Sequence, residues 1–118
     1  MGRIYRSIQL RNNGRKADVV AFVDTGADKS VISEHVAKKL KLKFNRRDKL
    51  VVANREVITA YVDKVRVVST KDNINIMMYV DITDVPFDMD IDDVDMIIGI
   101  DFLQKHNVKL SFRKLKGV

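Results

Sequence analysis

The first twenty-three residues read as a hairpin. Ile4, Ile8 and Leu10 fall on one face at period two, Asn13-Gly14 is a tight-turn signal, and residues 19–23 form a continuous apolar strand. After a turn at Gly26, Val31-Ile32 resumes an extended stretch. Ser33 reads as an N-cap, and Val36, Ala37 and Leu40 give residues 34–40 the spacing of a short amphipathic helix. Strand signals return at 50–52 and 57–62, flanking the turn Ala53-Asn54-Arg55-Glu56. Two further strands are predicted at 65–68 and 74–82, with Lys71-Asp72-Asn73 turning between them and Ile76-Met77-Met78-Tyr79 as strand core. An acidic loop, 84–95, holds the only proline, Pro86, and leads into the apolar run 96–100. Asp101 is placed to cap a short helix over 102–106 ended by Asn107, and 108–112 closes as a last strand.

This pattern implies a mostly β chain with one or two short helices. At 118 residues it fits one domain, 1–118, with no repeat or linker. A content of 46% hydrophobic and 32% charged residues separates it from disordered chains. The absence of cysteine excludes disulfides and thiolate metal sites. No apolar run reaches the roughly 18–20 residues that span a bilayer, and the N-terminus lacks a secretory apolar stretch. A cytoplasmic protein without a membrane segment is the expectation. The net charge of +6 raises nucleic acid as a partner. The lysines and arginines are scattered along the chain, however, and no basic run is interleaved with the three Tyr and five Phe. A solvated surface is the expectation, with no nucleic-acid partner.

Candidate chemistry centres on Asp24-Thr25-Gly26, which follows directly on the apolar strand. A side chain at a strand's end is positioned by the ladder yet stays accessible. Gly26 permits a turn and the close approach of another chain. The same triplet also reads as a turn in which Asp24 caps local amides.

Two longer motifs decide between these readings. Val23-Asp24-Thr25-Gly26-Ala27-Asp28, followed by Val31-Ile32, resembles the active-site loop of the retroviral-type aspartic proteases, the retropepsins. Ile97-Ile98-Gly99-Ile100-Asp101-Phe102-Leu103 resembles that family's second motif, about seventy residues later, with the flap candidate between them. The resemblance implies an acid-protease fold, a closed antiparallel β-barrel-like domain that works as a homodimer on peptide or protein substrates. It implies Asp24 as the catalytic residue, one from each chain. Two carboxylates about 3 Å apart cannot both ionise, so one activates water while the other donates a proton. By the same resemblance, the Thr25 hydroxyls bond across the dimer, the Gly26 carbonyl meets the substrate backbone, and Ala27 belongs to the substrate-binding loop. Asp28 matches an acidic position that binds substrate backbone in retroviral members; a local salt bridge is its other reading. Ile97, Ile98 and Gly99 are implied to support the loop from beneath. Val52, Ala53, Asn54, Arg55 and Glu56 are implied as the flap. This chain departs from the family there, with no glycine between Gly26 and Gly99, so Asn54 is the expected positive-φ residue. The segments 2–10 and 108–112 are implied as the dimer interface.

No metal or cofactor is expected. The stretch 88–93 places Asp93 where a calcium loop needs glycine. His35 and His106 have no partners at ligand spacing. Ser30 and Ser33 lie near His35, with no third group to orient a nucleophilic pair. A protease-like domain kept for dimerisation or peptide binding, with little turnover, is the alternative function.

Overall fold

The computed structural model describes residues 4–52, 55–87 and 94–105. Strands β1 (Tyr5–Asn12) and β2 (Arg15–Val23) form the opening hairpin. Its turn uses positive φ at both Asn13 and Gly14, the geometry that matches strand twist in two-residue hairpins. Next come β3 (Val31–Ile32), α1 (Glu34–Lys39), β4 (Arg47–Val51), β5 (Val57–Ser69), β6 (Ile74–Ile82), a 3-10 turn at Val85–Phe87, β7 (Met96–Ile98) and α2 (Ile100–Lys105). Six strands close on themselves in the order β1-β2-β7-β3-β6-β5, because β5 returns to pair with β1. The outcome is a mostly β closed barrel with short helices. It is not wholly antiparallel: β2–β7 and β3–β6 pair parallel, since β7 is inserted between β2 and β3.

The core fills the barrel. Leu10, Ile32, Val65, Val67, Val80 and Met96 are all but inaccessible. Such side chains contribute about 1.5–3 kcal/mol each by leaving water. The helix α1 is placed by Ser33, whose hydroxyl accepts the Val36 amide at 3.3 Å, and it buries Val36 and Ala37. It ends in a Schellman pattern: Leu42 donates to the Ala37 carbonyl, Lys41 to that of Lys38, and Lys41 takes φ 57°.

Strand β5 departs from the sequence pattern. Predicted as two strands, it runs unbroken for 13 residues, through Asp63 and Lys64. Burial changes phase there: Ala60 and Val62 are covered on one face, Val65 and Val67 on the other. The pairing to β6 continues without a slip from Tyr61↔Ile82 to Ser69↔Ile74. A change of covered face, with no break in the ladder, mimicked a turn in the sequence.

Other boundaries shift for simpler reasons. The strand β4 begins at Arg47, in charged residues an apolar pattern does not mark. The helix α2 starts at Ile100, so Asp101 lies in its first turn and is not its cap. Of Ile76 to Tyr79, Met78 is core and the half-buried Ile76 packs against that core, while Met77 and Tyr79 face outward. Tyr79 lies beneath Arg46 and Lys64, and Tyr61 beneath Arg47, so folding brings together cations and rings that are separate in sequence. The predicted last strand 108–112, His106 and the stretch 88–93 fall outside the described residues.

The left-handed residue after α1 yields a test. Lys41→Gly should raise stability by about 0.5–1 kcal/mol, since a side chain at positive φ is strained and glycine is not. Urea unfolding at fixed protein concentration measures it; an unchanged or lower midpoint would refute this account of the cap.

Candidate active site

Strand β2 ends at Val23, so Asp24 is the first residue past the ladder. Its amide is still held, donating to the Ile98 carbonyl at 2.9 Å. The side chain is half-buried, and Oδ1 accepts the Gly26 amide at 2.9 Å. The Ala27 amide donates to the Asp24 carbonyl at 3.1 Å, completing a tight turn. Asp24 thus caps its own turn through Oδ1 alone. Thr25, Gly26 and Asp28 are exposed and Ala27 is half-buried. Gly26 does not adopt positive φ; a Cβ there would lie 3.2 Å from Asp24 Oδ1, so glycine leaves room for the carboxylate.

The insertion of β7 between β2 and β3 forces the loop that joins them to cross over the end of β7. Gly99 leaves β7 directly beneath that crossing. A Cβ on Gly99 would stand 2.7 Å from the Lys29 carbonyl carbon and oxygen and 2.8 Å from the Ala27 oxygen. Glycine lets the two segments touch backbone to backbone. Ile100 donates to the Ala27 carbonyl at 2.8 Å, and Asp101 to that of Asp28 at 3.3 Å. Ile97 and Ile98 are buried in β7. Ser30 completes the clamp: its hydroxyl accepts the Gly99 amide at 3.0 Å and donates to Asp101 Oδ1 at 2.7 Å, while its amide donates to Asp101 Oδ2 at 2.9 Å.

Ser30 and Asp101 were not singled out for this role by the sequence. The signal available was a polar residue within the span of each of the two matched motifs. The Ser33 hydroxyl donates to Asp95 at 2.9 Å, so both serines near the exposed His35 are engaged elsewhere. Among the described residues no group of acidic or histidine side chains could hold a metal.

The flap candidate is a two-stranded ribbon. Among the described residues Val57 to Ala60 pair with β4 only, because β6 begins its pairing at Tyr61. A lone ribbon is marginal in water. Here Leu50, Val52, Ile58 and Ala60 pack in one apolar cluster with Ala27, Val31, Ile97 and Phe87, which seats the ribbon on the Asp24 loop. Ala53 and Asn54 lie outside the described residues. Arg55 takes positive φ, 60°, and its amide donates to the Val52 carbonyl at 3.1 Å. Arg55 and Glu56 are exposed and Val52 is half-buried.

A second tie is ionic. Lys29 Nζ donates to Asp48 Oδ2 at 2.6 Å and to the Lys49 carbonyl at 3.0 Å, joining the loop to β4. The salt bridge from this loop is therefore made by Lys29. The bond to Asp48 raises the Lys29 pKa, and the bond to Lys29 lowers that of Asp48. Asp81 on β6 is buried beside them, and burial, with the nearby Asp48 charge, pushes its carboxyl up to about 6. An acidic residue inside the apolar run of β6 was the sequence signal for it.

Residues 8–105 match the family described as gag-polyprotein putative aspartyl protease. The chain belongs to this family. Its solved relatives share the fold. EIAV protease, solved in complex with the inhibitor HBY-793, is 19% identical at a TM-score of 0.63, covering 88% of each chain. The retroviral protease-like domain of Ddi1 from Leishmania major is 20% identical with a TM-score of 0.52, over 90% of this chain and 74% of that one. A retropepsin-like aspartic protease from Rickettsia conorii is 23% identical with a TM-score of 0.52, over 90% and 73%. No curated protein matches. This member of the aspartyl protease family has the retropepsin fold, and among its described residues no helix is long and apolar enough to cross a membrane.

Two outcomes follow from the clamp and the buried carboxyl. Gly99→Ala should cost about 2–3 kcal/mol in urea unfolding, as overpacking against backbone cannot relax by a rotamer change; a loss below about 0.5 kcal/mol, a typical surface effect, would refute the close approach. For Asp81, the folded chain keeps its proton up to about 6 whereas an ordinary carboxylate holds it only to 3.8. The associated stability is complete below 3.8 and is lost as pH rises through about 6. Between pH 4 and 7 the wild type should lose about 2–3 kcal/mol relative to Asp81→Asn. Parallel pH profiles for the two proteins would contradict the buried, protonated carboxyl.

Proposed function

We propose that this protein is an aspartic endopeptidase, active as a twofold homodimer, in which the two symmetry-related Asp24 carboxylates activate a water. The observation that carries the reading is the half-exposed Asp24 carboxylate, at a strand end, in a backbone-clamped loop, beside an apolar ribbon that roofs the same loop. Family membership supports the reaction type.

The chemistry needs two carboxylates, and this loop supplies one. A residue near a twofold axis meets its own copy, so dimerisation completes the pair. Close together, they share one proton. The ionised member takes a proton from water as its oxygen attacks the scissile carbonyl carbon, and the protonated member donates to the carbonyl oxygen. Collapse of the intermediate breaks the C–N bond with proton transfer to the leaving amine. No metal or cofactor enters the scheme.

Dimerisation draws support from β1. Among the described residues it pairs on both sides only at Gln9–Arg11, so one edge of Tyr5 to Ile8 meets no described strand, and Ile4 and Tyr5 expose apolar surface next to it. Open edges of this kind accept another strand. Thr25 and Gly26, exposed in the single chain, would lie at the axis. The partly buried Ala27, Val52, Ile58 and Phe87 suit substrates with apolar side chains flanking the cleaved bond. Asp28, exposed on the same loop, would meet substrate backbone in this reading.

Asp24→Asn should lower peptide cleavage by about 10²–10⁴-fold while leaving the dimer intact. Cleavage of a peptide library between about pH 3 and 7 and sedimentation of both proteins provide the measurements. A wild-type dimer that cuts nothing in that range would leave a peptide-binding domain and end the enzyme reading.

A further inference from the structure

One ammonium in this molecule faces three carboxylates. Lys29, on the Asp24 loop, meets Asp48 from β4 directly, and both Asp81 from β6 and Asp101 from α2 lie within its electrostatic reach. Asp101 is already satisfied by the Ser30 amide and hydroxyl and by the Phe102 amide. The unusual member is Asp81. It is 3% exposed, its Oδ2 has no hydrogen-bond partner among the described residues, and the register across β5 (Asp48 opposite Ala60, Asp81 opposite Val62) sets it on the same sheet face as Asp48. Its backbone is fixed, with the amide donating to the Ser30 carbonyl at 3.0 Å and the strand register pairing it with Val31 and Val62. The side chain therefore cannot leave the cluster without breaking the barrel.

Asp48 is shared by two neighbours of different kinds. Lys29 binds it as an ion, and a protonated Asp81 can donate to it. With the proton present, Lys29 and Asp48 are balanced and Asp81 adds no charge. Without it, a buried carboxylate faces Asp48 and Asp101 with no donor of its own, while Lys29 is spent on Asp48 and the Lys49 carbonyl. Like charges repel more strongly when shielded from water. The movable partner is Asp48, which sits on β4, whose only pairing among the described residues is to β5. Repulsion is thus relieved by loosening β4 from the loop.

We propose that Asp81 is a positioning residue: through Asp48 and Lys29 it ties the flap ribbon to the Asp24 loop, firmly while it carries a proton and loosely once it ionises. Resting on the protease reading, this makes substrate capture under the ribbon weaken as the solution passes from acid to neutral. Among the described residues, the charged groups that act on Asp81 are Lys29 from the loop, Asp48 from β4 and Asp101 from α2.

Amide hydrogen exchange of the full chain at pH 5 and pH 7.5, corrected for intrinsic rates, tests the tie without requiring activity. In the wild type, protection of the β4–β5 amides between Arg47 and Tyr61 should fall at least tenfold at the higher pH, with the barrel amides of β6 changing far less. Asp81→Asn, which keeps the shape of the protonated form, should abolish that difference. Lys29→Gln should leave the ribbon poorly protected at both pH values; it guards against an Asp81 variant that fails to fold. A wild type with equal ribbon protection at both pH values, or the same fall in Asp81→Asn, overturns the proposal. If the protein cleaves peptides, KM should rise above about pH 6 in the wild type but not in Asp81→Asn, with kcat following one profile in both. A difference confined to kcat would place Asp81 elsewhere in the reaction. An intact exchange response in a protein that cuts nothing would retain the tie and reject only the protease reading.

Discussion

Everything around Asp24 depends on one close approach of backbone to backbone, where the loop after β2 crosses the exit of β7. Gly99 makes it possible, because any side chain there would occupy the space of the Lys29 and Ala27 carbonyls. Once the chains touch, amides from Ile100 and Asp101 satisfy loop carbonyls, and Ser30 and Asp101 fill in the remaining donors and acceptors. A loop that would otherwise be loose is held by its own main chain. That is how a short exposed turn can present a carboxylate in a constant position.

The barrel and the ribbon are two uses of a single strand. The far half of β5 closes the barrel against β1 and β6; the near half, beyond the end of β6, pairs among the described residues only with β4. Its stability comes from a small apolar cluster that includes Ala27 of the loop, and from the Lys29–Asp48 pair. The ion pair is more than a third exposed on both sides and so is weak by itself. Its interest lies in what it is coupled to. Asp81 brings a buried carboxyl to an anchor otherwise worth little, and buried groups feel each other's charge far more than surface groups do.

Local order in the sequence could mark the elements that depend on neighbours in the chain. The Asn13-Gly14 hairpin, the Ser33 cap and the β6 span are all visible because turn chemistry and side-chain period are local properties. The family was legible through two motifs far apart in the chain. The sequence pointed to residues 23–28 and 97–99 as separate segments, and the barrel topology brings them into contact. Where local reading failed, a nonlocal cause was at work. The phase change at Asp63 reflects different cover on the two faces of β5, and Asp101, from within the first turn of its helix, serves Ser30, 71 residues away, as well as the Phe102 amide.

By itself, then, the sequence determined the strand-rich class, the turns, the position of Asp24 at a strand end and the pairing of two family motifs. These follow from short-range periodicity and from residue types that few other backbones tolerate. Only the tertiary structure decided that the barrel mixes parallel with antiparallel pairs, that positive φ at the described flap residues falls on Arg55, and that Lys29, Asp48 and Asp81 form one charged group. Those outcomes depend on which distant segments share a wall. Burial and charge coupling are properties of that wall, and no window along the chain contains them.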